Sequence, residues 1–131
     1  MFAESYALTK TPMYVYVRAV EDCTIQFLDV QNLEKSPELK NQMIQILSNK
    51  NKMLSQHIFH ISNKTIRNKV LSYLSFMKLE TQSSTFKIPF DRQQMADYLN
   101  VERSALSKEL SKMKSEGLID YHKNTFTVYS I

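Results

Sequence analysis

Apolar side chains recur at alternating steps of three and four between Glu38 and Ile61, a stretch without proline or glycine. This spacing places them on one face of an α-helix. Ser36, Pro37 and Glu38 have the form of a helix start, with a capping hydroxyl, proline at the first helical position and an acid near the positive end of the dipole. The pattern therefore predicts one long amphipathic helix over residues 37–61.

The apolar positions of this helix form a heptad seam with one polar member. Its residues are Ile44, Leu47, Asn51, Leu54, Ile58 and Ile61. Branched residues at the first position of each heptad, mainly leucine at the fourth, and a single asparagine favour a parallel two-stranded coiled coil. We therefore expect the seam to be a dimer interface. The alternative is a monomeric amphipathic helix that packs on its own domain.

The N-terminal segment alternates β-branched and aromatic residues. Tyr14–Val20 and Thr24–Val30 are each typical of a strand, and the acidic pair between them suits a turn. Two strands alone are not expected to be stable, because a sheet generally needs a third strand or a covering helix. The pattern therefore predicts that residues 1–36 are the end of a larger β domain.

The C-terminal half carries the signals of a helix-turn-helix. A helix is expected over residues 64–80 and a short strand over residues 86–88. Asp91 and Gln94 match a capping box, which predicts that a further helix begins there. Asn100 follows where the turn of such a motif needs a left-handed residue, a conformation that asparagine tolerates better than most residues.

The last helix is expected over residues 102–116, and Gly117, the only glycine, is suited to end it in a left-handed conformation. Its outer face alternates long cations with small hydroxyl residues: Arg103, Ser104, Ser107, Lys108, Ser111 and Lys112. A helix in a major groove needs such a face, because cations reach base edges or phosphates and serines permit close approach. Residues 118–120 and 126–128, around a turn at 122–125, predict a two-stranded wing.

Other uses of this half of the chain stay open. A charged helix face is often only solvated, and a winged helix can serve as a protein-interaction module, although such a module is expected to show an apolar or acidic outer face. The chain could also be an effector-sensing fragment without DNA specificity of its own. An enzyme would need converging nucleophile, acid and base residues, and the sequence shows no such set. The pattern favours DNA binding.

Charge and composition narrow the range of partners. The formal charge of +4 lies in residues 61–131, which hold eleven basic and seven acidic residues, whereas residues 1–60 hold six of each. The C-terminal half is therefore the part expected to meet an anion. No apolar run is long enough to span a bilayer, and the first residues lack the layout of a secretory signal. We expect a cytoplasmic protein without membrane contacts.

Candidate metal ligands are few. Cys23 is the only cysteine, which excludes an intrachain disulfide and a four-thiolate cluster, and its strand-like surroundings predict a buried, inert thiol. His57 and His60 lie three residues apart on the long helix, but no thiol or carboxylate close by in sequence completes a site. We expect surface or interface histidines and no metal.

Two segments, VRAVEDCTIQFLD and IPFDRQQMADYLNVERSALSKELSKMKSEGLI, lie on either side of the long helix. Together they resemble the C-terminal part of a Crp/Fnr-family transcription regulator, most specifically in RSALSKEL and MKSEGLI. The resemblance implies a mainly α-helical chain with short β segments: a β-roll remnant at residues 1–36, a dimerisation helix at 37–61 and a winged helix-turn-helix DNA-binding domain at 62–131. It also implies a homodimer on palindromic sites in double-stranded DNA, with RNA polymerase as a further partner.

The resemblance also assigns roles by position. Base-reading roles fall on Arg103, Ser104 and Lys108. Contacts with the DNA backbone are expected from Arg92, Gln93, Ser107, His122 and Lys123. The chain departs from the family at two positions. Ser104 stands where the cyclic-AMP-responsive members have a glutamate, so their target sequence is not carried over. Glu102 stands where a serine commonly caps the recognition helix, and a carboxylate there is expected to repel a phosphate.

The same comparison bears on an effector. Ala3, Glu4 and Ser5 resemble the Gly-Glu segment of the cyclic-nucleotide phosphate cassette. The family's arginine, followed by serine or threonine, would fall near Met13 and Tyr14, where no guanidinium is available. We therefore do not expect cyclic AMP to bind and expect no cofactor in this chain. The effector of a longer protein is not identified by the sequence.

Overall fold

The computed structural model describes residues 3–129, apart from the side chains of residues 30, 33 and 34. The chain divides into two compact units, Met1–Asn49 and Lys50–Ile131. The elements in chain order are α1 (Glu4–Thr9), α2 (Val30–Lys35), α3 (Pro37–Ile61), α4 (Ile66–Thr81), β1 (Thr85–Lys87), α5 (Arg92–Leu99), α6 (Arg103–Ser115), β2 (Ile119–His122) and β3 (Thr125–Val128). Within the described part of the chain, no helix is long and apolar enough to cross a membrane.

The predicted long helix is confirmed as α3, and its start has the expected chemistry. The backbone N–H of Leu39 donates to Ser36 Oγ at 3.3 Å, and Pro37 is the first helical residue. Proline is well placed there because the first N–H groups of a helix have no partner inside it. A local pattern of capping and periodicity is therefore enough to define this element.

The two strands expected near the N-terminus are not strands in the structure. Residues 14–20 and 24–29 have no sheet partner among the described residues, their side chains are exposed, and residue 30 begins α2. Strand-like composition produces a strand only where another chain segment completes the hydrogen bonds. The prediction of a buried Cys23 is also wrong, since the cysteine is exposed. A β-roll remnant stays a prediction.

The core of the second unit lies between three helices and a small sheet. α4, α5 and α6 each turn one face inward and the strands close the remaining side, which removes their apolar surface from water. The buried residues are Val70, Tyr73, Leu74, Phe86, Ile88, Met95, Ala96, Leu99, Leu106, Leu110, Met113, Ile119, Phe126 and Val128. Met95, Ala96 and Leu99 are the members of this core that lie on α5.

The wing is larger than predicted. β3 pairs antiparallel with β2 on one side and with β1 on the other, so the short strand after α4 is the third strand of the same sheet. The Ile88 N–H donates to the Asn124 carbonyl at 2.9 Å, and Asn124 Nδ2 donates to the Ile88 carbonyl at 3.3 Å. The sequence predicted the hairpin and a short strand at residues 86–88, but not their pairing, because that pairing joins residues about forty positions apart.

The turn between α5 and α6 has the predicted left-handed residue. Asn100 has φ 50° and ψ 60°, and the Val101 N–H donates to the Ala96 carbonyl at 3.0 Å. Lys69 on α4 adds a contact that the sequence did not indicate: its Nζ donates to the carbonyls of Leu99 and Asn100 at 3.1 Å each. A cation at the carbonyl end of a helix stabilises groups that otherwise lack partners.

His57 and His60 are packing residues and not surface residues. His57 stacks on Tyr98 with ring centroids 4.5 Å apart, and its Nε2 donates to the Tyr98 carbonyl at 2.7 Å. His60 is only 2% exposed and its Nδ1 lies 2.8 Å from Ser72 Oγ. Its ring meets the Tyr73 ring edge to face, at 5.7 Å between centroids. Both histidines therefore fasten the end of α3 to α4 and α5.

We expect few residues to replace Asn100 without a loss of stability. Asn100→Ala should lower the free energy of unfolding by about 1 kcal/mol, because a left-handed conformation is costly for a residue with Cβ and without a short polar side chain. Asn100→Gly should avoid this steric cost. Denaturant unfolding of the two variants measures the difference, with Asn68→Ala on the exposed face of α4 as control. Equal stability of the Ala and Gly variants would show that the turn is not constrained at this residue.

His60 should make the fold sensitive to mild acid. Burial, and then the nearby His57, lower the pKa of His60 below its usual value of 6.5. The folded state therefore favours the neutral ring. The resulting stability is present above the unfolded-state pKa and is lost as the pH falls from there through the lower folded-state pKa. The Tyr73 and Tyr98 rings and Ser72 Oγ lie against the imidazole, and none of them is negatively charged near neutral pH.

Thermal unfolding at pH 7.5 and pH 5.5 tests this dependence. The melting temperature of the unaltered chain should fall by more between the two pH values than that of His60→Gln, which has no titrating ring. His122→Gln, at an exposed wing position, is the control and should keep the full dependence. An identical fall in the unaltered chain and in His60→Gln would assign the acid sensitivity to another group.

Candidate nucleic-acid interface

α6 presents two faces of opposite character. Leu106, Leu110 and Met113 are fully buried, while Arg103, Ser104 and Lys108 are exposed on the other side. Ser107 is half-buried between them. A helix of 13 residues is about 20 Å long and its diameter fits the major groove of B-DNA. The base-reading residues expected from the sequence therefore share one exposed surface on one rigid element.

Arg103 and Lys108 have their charged groups available. Within residues 3–129 neither side chain makes an ion pair or a hydrogen bond. Both cations extend from a helix whose other face is locked in the core. An available guanidinium can donate two parallel hydrogen bonds to the O6 and N7 atoms of guanine, and an ammonium can reach the same atoms or a phosphate.

Glu102 caps α6 with its own side chain. Its Oε1 accepts from the Ser104 N–H at 2.9 Å, and its Oε2 accepts from the Ala105 N–H at 2.8 Å. The Ser104 hydroxyl also donates to Oε2. The hydroxyl of Ser104 and then the two backbone N–H groups lower the pKa of Glu102 to about 2, so the group is a carboxylate. The departure from the family's serine is therefore a working cap, which sequence reasoning did not foresee.

Arg67 on α4 holds α6 from the side. Its Nε donates to Glu109 Oε1 at 2.6 Å, and its other nitrogens pair with Glu116 at 2.8 and 2.9 Å. The hydrogen bond from Arg67 lowers the pKa of Glu116. Arg67 also offsets the negative charge of Glu109 on α6 and of Glu116 directly after it. The exposed face keeps its positive character as a result. The partners are 42 and 49 residues apart in the sequence, so no local signal could have indicated this network.

Arg92 connects the start of α5 to the wing. Its guanidinium lies over the rings of Tyr121 and Phe126, 5.0 and 5.6 Å from their centroids, and donates to the Lys123 carbonyl at 3.4 Å. Burial lowers the pKa of the Arg92 guanidinium. Part of this side chain is therefore used inside the protein, and its expected contact with a phosphate stays a prediction.

The remaining backbone-contact candidates lie at the same end of the wing and of α5. His122 and Lys123 are exposed at the hairpin turn, where Lys123 has φ 53°. Gln93 is exposed on the first turn of α5, and its Nε2 donates to Asp97 Oδ1 at 2.8 Å. The Arg92 contact with Lys123 shows that these two short segments are neighbours.

Most residues of the predicted dimer seam are exposed. Ile44, Leu54 and Ile58 are each 61% exposed, and Asn51 is exposed as well. Leu47 and Ile61 are half-buried.

Among the described residues no group of three or more histidine, cysteine, aspartate or glutamate side chains could hold a metal ion.

Comparison with known proteins agrees with this geometry. Residues 68–130 match the sequence family described as the Crp-like helix-turn-helix domain. The chain is 27% identical over 99 residues to a probable transcriptional regulator, flp, of Lacticaseibacillus casei, and the match covers 75% of this chain and 45% of that protein. It is 25% identical over 96 residues to the transcriptional activator protein FnrL of Cereibacter sphaeroides, and the match covers 66% of this chain and 39% of that protein. The chain thus spans less than half of these regulators.

Solved structures show the same fold. FixK2 from Bradyrhizobium japonicum superimposes with a TM-score of 0.62 at 16% identity, over 79% of this chain and 55% of that one. A regulator assigned to the crp/fnr family from Eubacterium rectale superimposes with a TM-score of 0.54 at 18% identity, over 75% of this chain and 44% of that one. The two relatives are named as a transcriptional regulator and a transcriptional activator. Residues 68–130 are therefore similar to the Crp-like helix-turn-helix domain, and the chain is similar over part of its length to transcription regulators of the Crp/Fnr type.

Proposed function

We propose that this chain binds double-stranded DNA sequence-specifically, as a homodimer on inverted repeats, and thereby regulates transcription. The observation that carries the proposal is the exposed face of α6, the second helix of a Crp-like helix-turn-helix, with the unpaired cations of Arg103 and Lys108. In such motifs the second helix lies in the major groove, and its N-terminal residues contact base edges. Arg103 is the first residue of α6.

Charge on α6 argues against a protein-interaction module. The binding surface of such a module would be apolar or acidic. Here the acids Glu109 and Glu116 are paired with Arg67, and the exposed face of α6 is basic. Positive charge on this face favours the DNA backbone through release of counterions. An effector-sensing fragment without DNA specificity would have no use for unpaired cations on the second helix of this motif.

Contacts with phosphates are assigned to the positions around α6. Gln93 at the start of α5, Ser107 on α6 and the wing residues His122 and Lys123 are within the same domain and are at least partly exposed. Arg92 has one role inside the protein, where it orders the wing, and keeps further N–H donors for a phosphate. Such contacts set the register of the protein on the duplex without reading its sequence.

The dimer is proposed from the seam on α3. An exposed apolar stripe interrupted by a single asparagine is what a two-stranded coiled coil requires. The exposure of Ile44, Leu54 and Ile58 disfavours the alternative, in which the same stripe packs on the chain's own domain. A two-fold dimer then places two α6 helices in successive major grooves, about one helical turn of DNA apart.

The remaining assignments follow from the resemblance to the family. The protein is proposed to act in the bacterial cytoplasm, with RNA polymerase as a further partner. Neither cyclic AMP nor another cofactor is assigned to this chain, because no arginine is available near Met13 to meet a cyclic phosphate.

We expect base reading and phosphate contact to separate by mutation. Arg103→Ala should weaken binding to the preferred site by about 1 to 3 kcal/mol and relax the preference at one base pair. Lys123→Ala should weaken binding to all DNA sequences alike. It should also reduce the slope of the logarithm of the binding constant against the logarithm of salt concentration by about one. Selection from random duplexes, followed by binding measurements at several salt concentrations, distinguishes the two.

Lys40→Ala, which removes a cation from α3, is the control for loss of charge. It should leave base preference unchanged. Enriched sites without a two-fold repeat, or an Arg103→Ala variant with unaltered affinity and preference, would refute the docking proposed for α6.

Asn51 should govern the association of two chains. Asn51→Leu should tighten the dimer or change the number of chains, because the polar seam position specifies two strands at some cost in stability. Asn49→Leu, also exposed on α3 but outside the seam, is the matched control and should leave the association unchanged. Analytical ultracentrifugation measures both. If the chain without substitutions stays monomeric at high micromolar concentration, the proposed interface is wrong.

A further inference from the structure

The pair formed by Glu102 and Ser104 at the start of α6 has a fixed direction of hydrogen bonding. We infer that Glu102 makes the Ser104 hydroxyl an acceptor toward DNA, so that the pair selects a base with an exocyclic amino group in the major groove, cytosine or adenine. The inference rests on the proposed binding of α6 in that groove. It concerns a determinant of specificity that the family's serine cap does not provide.

The direction follows from the chemistry of the two groups. Ser104 Oγ lies within hydrogen-bonding distance of Glu102 Oε2, and a carboxylate oxygen can only accept. The single hydroxyl proton of Ser104 is therefore used toward Glu102. The two lone pairs of Oγ remain, and these can only accept a hydrogen bond from another molecule.

Glu102 is held in this arrangement from several sides. Its two oxygens accept the backbone N–H groups of Ser104 and Ala105 as well as the hydroxyl. These bonds, together with the positive end of the helix dipole, stabilise the negative charge. With a pKa of about 2 the group remains a carboxylate throughout the physiological range, so the direction of the hydroxyl does not change with pH.

The bases differ in what they offer to such an acceptor. In the major groove cytosine presents its N4 amino group and adenine its N6 amino group, whereas guanine presents O6 and N7 and thymine presents O4. Ser104 is exposed in the first turn of α6, the part of a recognition helix that contacts base edges. The acceptor of Ser104 and the negative charge of Glu102 both favour an amino group and disfavour a carbonyl oxygen.

Glu102 also changes what the end of the helix can bind. Free N–H groups at a helix N-terminus form a site for a phosphate. Here two of them are already bonded to the carboxylate, and the negative charge repels a phosphate from that position. The start of α6 is thereby reserved for base contact, next to the donor Arg103.

The inference is tested by reversing the direction of the hydrogen bond. In Glu102→Gln an amide NH2 in the place of Oε2 gives up the bond from the Ala105 N–H and donates to Ser104 Oγ instead, which frees the hydroxyl proton to point outward as a donor. Selection from random duplexes should show cytosine or adenine at one position of each half-site for the unaltered protein, and a shift toward guanine or thymine at that position for Glu102→Gln. Ser104→Ala should reduce the discrimination at the same position by about fivefold, the lower end for one good base contact.

Two variants keep the test independent of folding. Ser104→Ala leaves both backbone bonds to Glu102 in place, so it should unfold at the temperature of the unaltered protein. Ser115→Ala, at the other end of α6, is the matched control and should not change any base preference. If neither Glu102→Gln nor Ser104→Ala alters the selected base, while Arg103→Ala still relaxes its own position, the inference is wrong and the proposed function stands. If the unaltered protein binds no DNA or selects no sequence, both are wrong.

Discussion

The orientation of α6 is the constraint on which the proposed function depends. One side of the helix is locked by Leu106, Leu110 and Met113, all fully buried, and Arg67 clamps it through Glu109 and Glu116. Close packing in a protein interior leaves little freedom for a helix held in this way. The opposite face can then carry unpaired cations at a defined orientation. Removal of the clamp would free a positive charge on α4 and two negative charges beside the face that is proposed to meet DNA.

The connection into α6 shows how several weak devices act together. Asn100 provides the left-handed turn, Lys69 bonds the last carbonyls of α5, and Glu102 bonds the first N–H groups of α6. Each satisfies backbone groups that the helices themselves leave without partners. The use of glutamate for the cap has a chemical consequence that serine would not have. It fixes a negative charge and the polarity of Ser104 at the end of the helix that is proposed to enter the groove.

A cluster of rings holds the end of α3 against the helix-turn-helix. His57 and His60 contact Tyr73, Tyr98 and Ser72 of the next two helices. The remaining polar atom of the His60 ring, Nε2, is buried and has no hydrogen-bond partner in the described part of the chain. The neutral ring tolerates this environment far better than a charged ring would. Conditions that protonate His60 should therefore loosen the attachment of α3 at this point.

The sequence by itself determined the elements whose signals are local. Periodicity and capping predicted α3, α5 and α6 within a few residues, and the turn at Asn100 and the end at Gly117 followed from their preference for positive φ. The tertiary structure decided whatever depends on partners distant in the chain. Strand-like sequence before α2 formed no strand, whereas Thr85–Lys87 became one because β3 was there to pair with it. The clamp of Arg67, the place of Arg92 over the wing and the burial of His60 arose in the same way, since partners on other elements meet a side chain only once the core has brought the elements together.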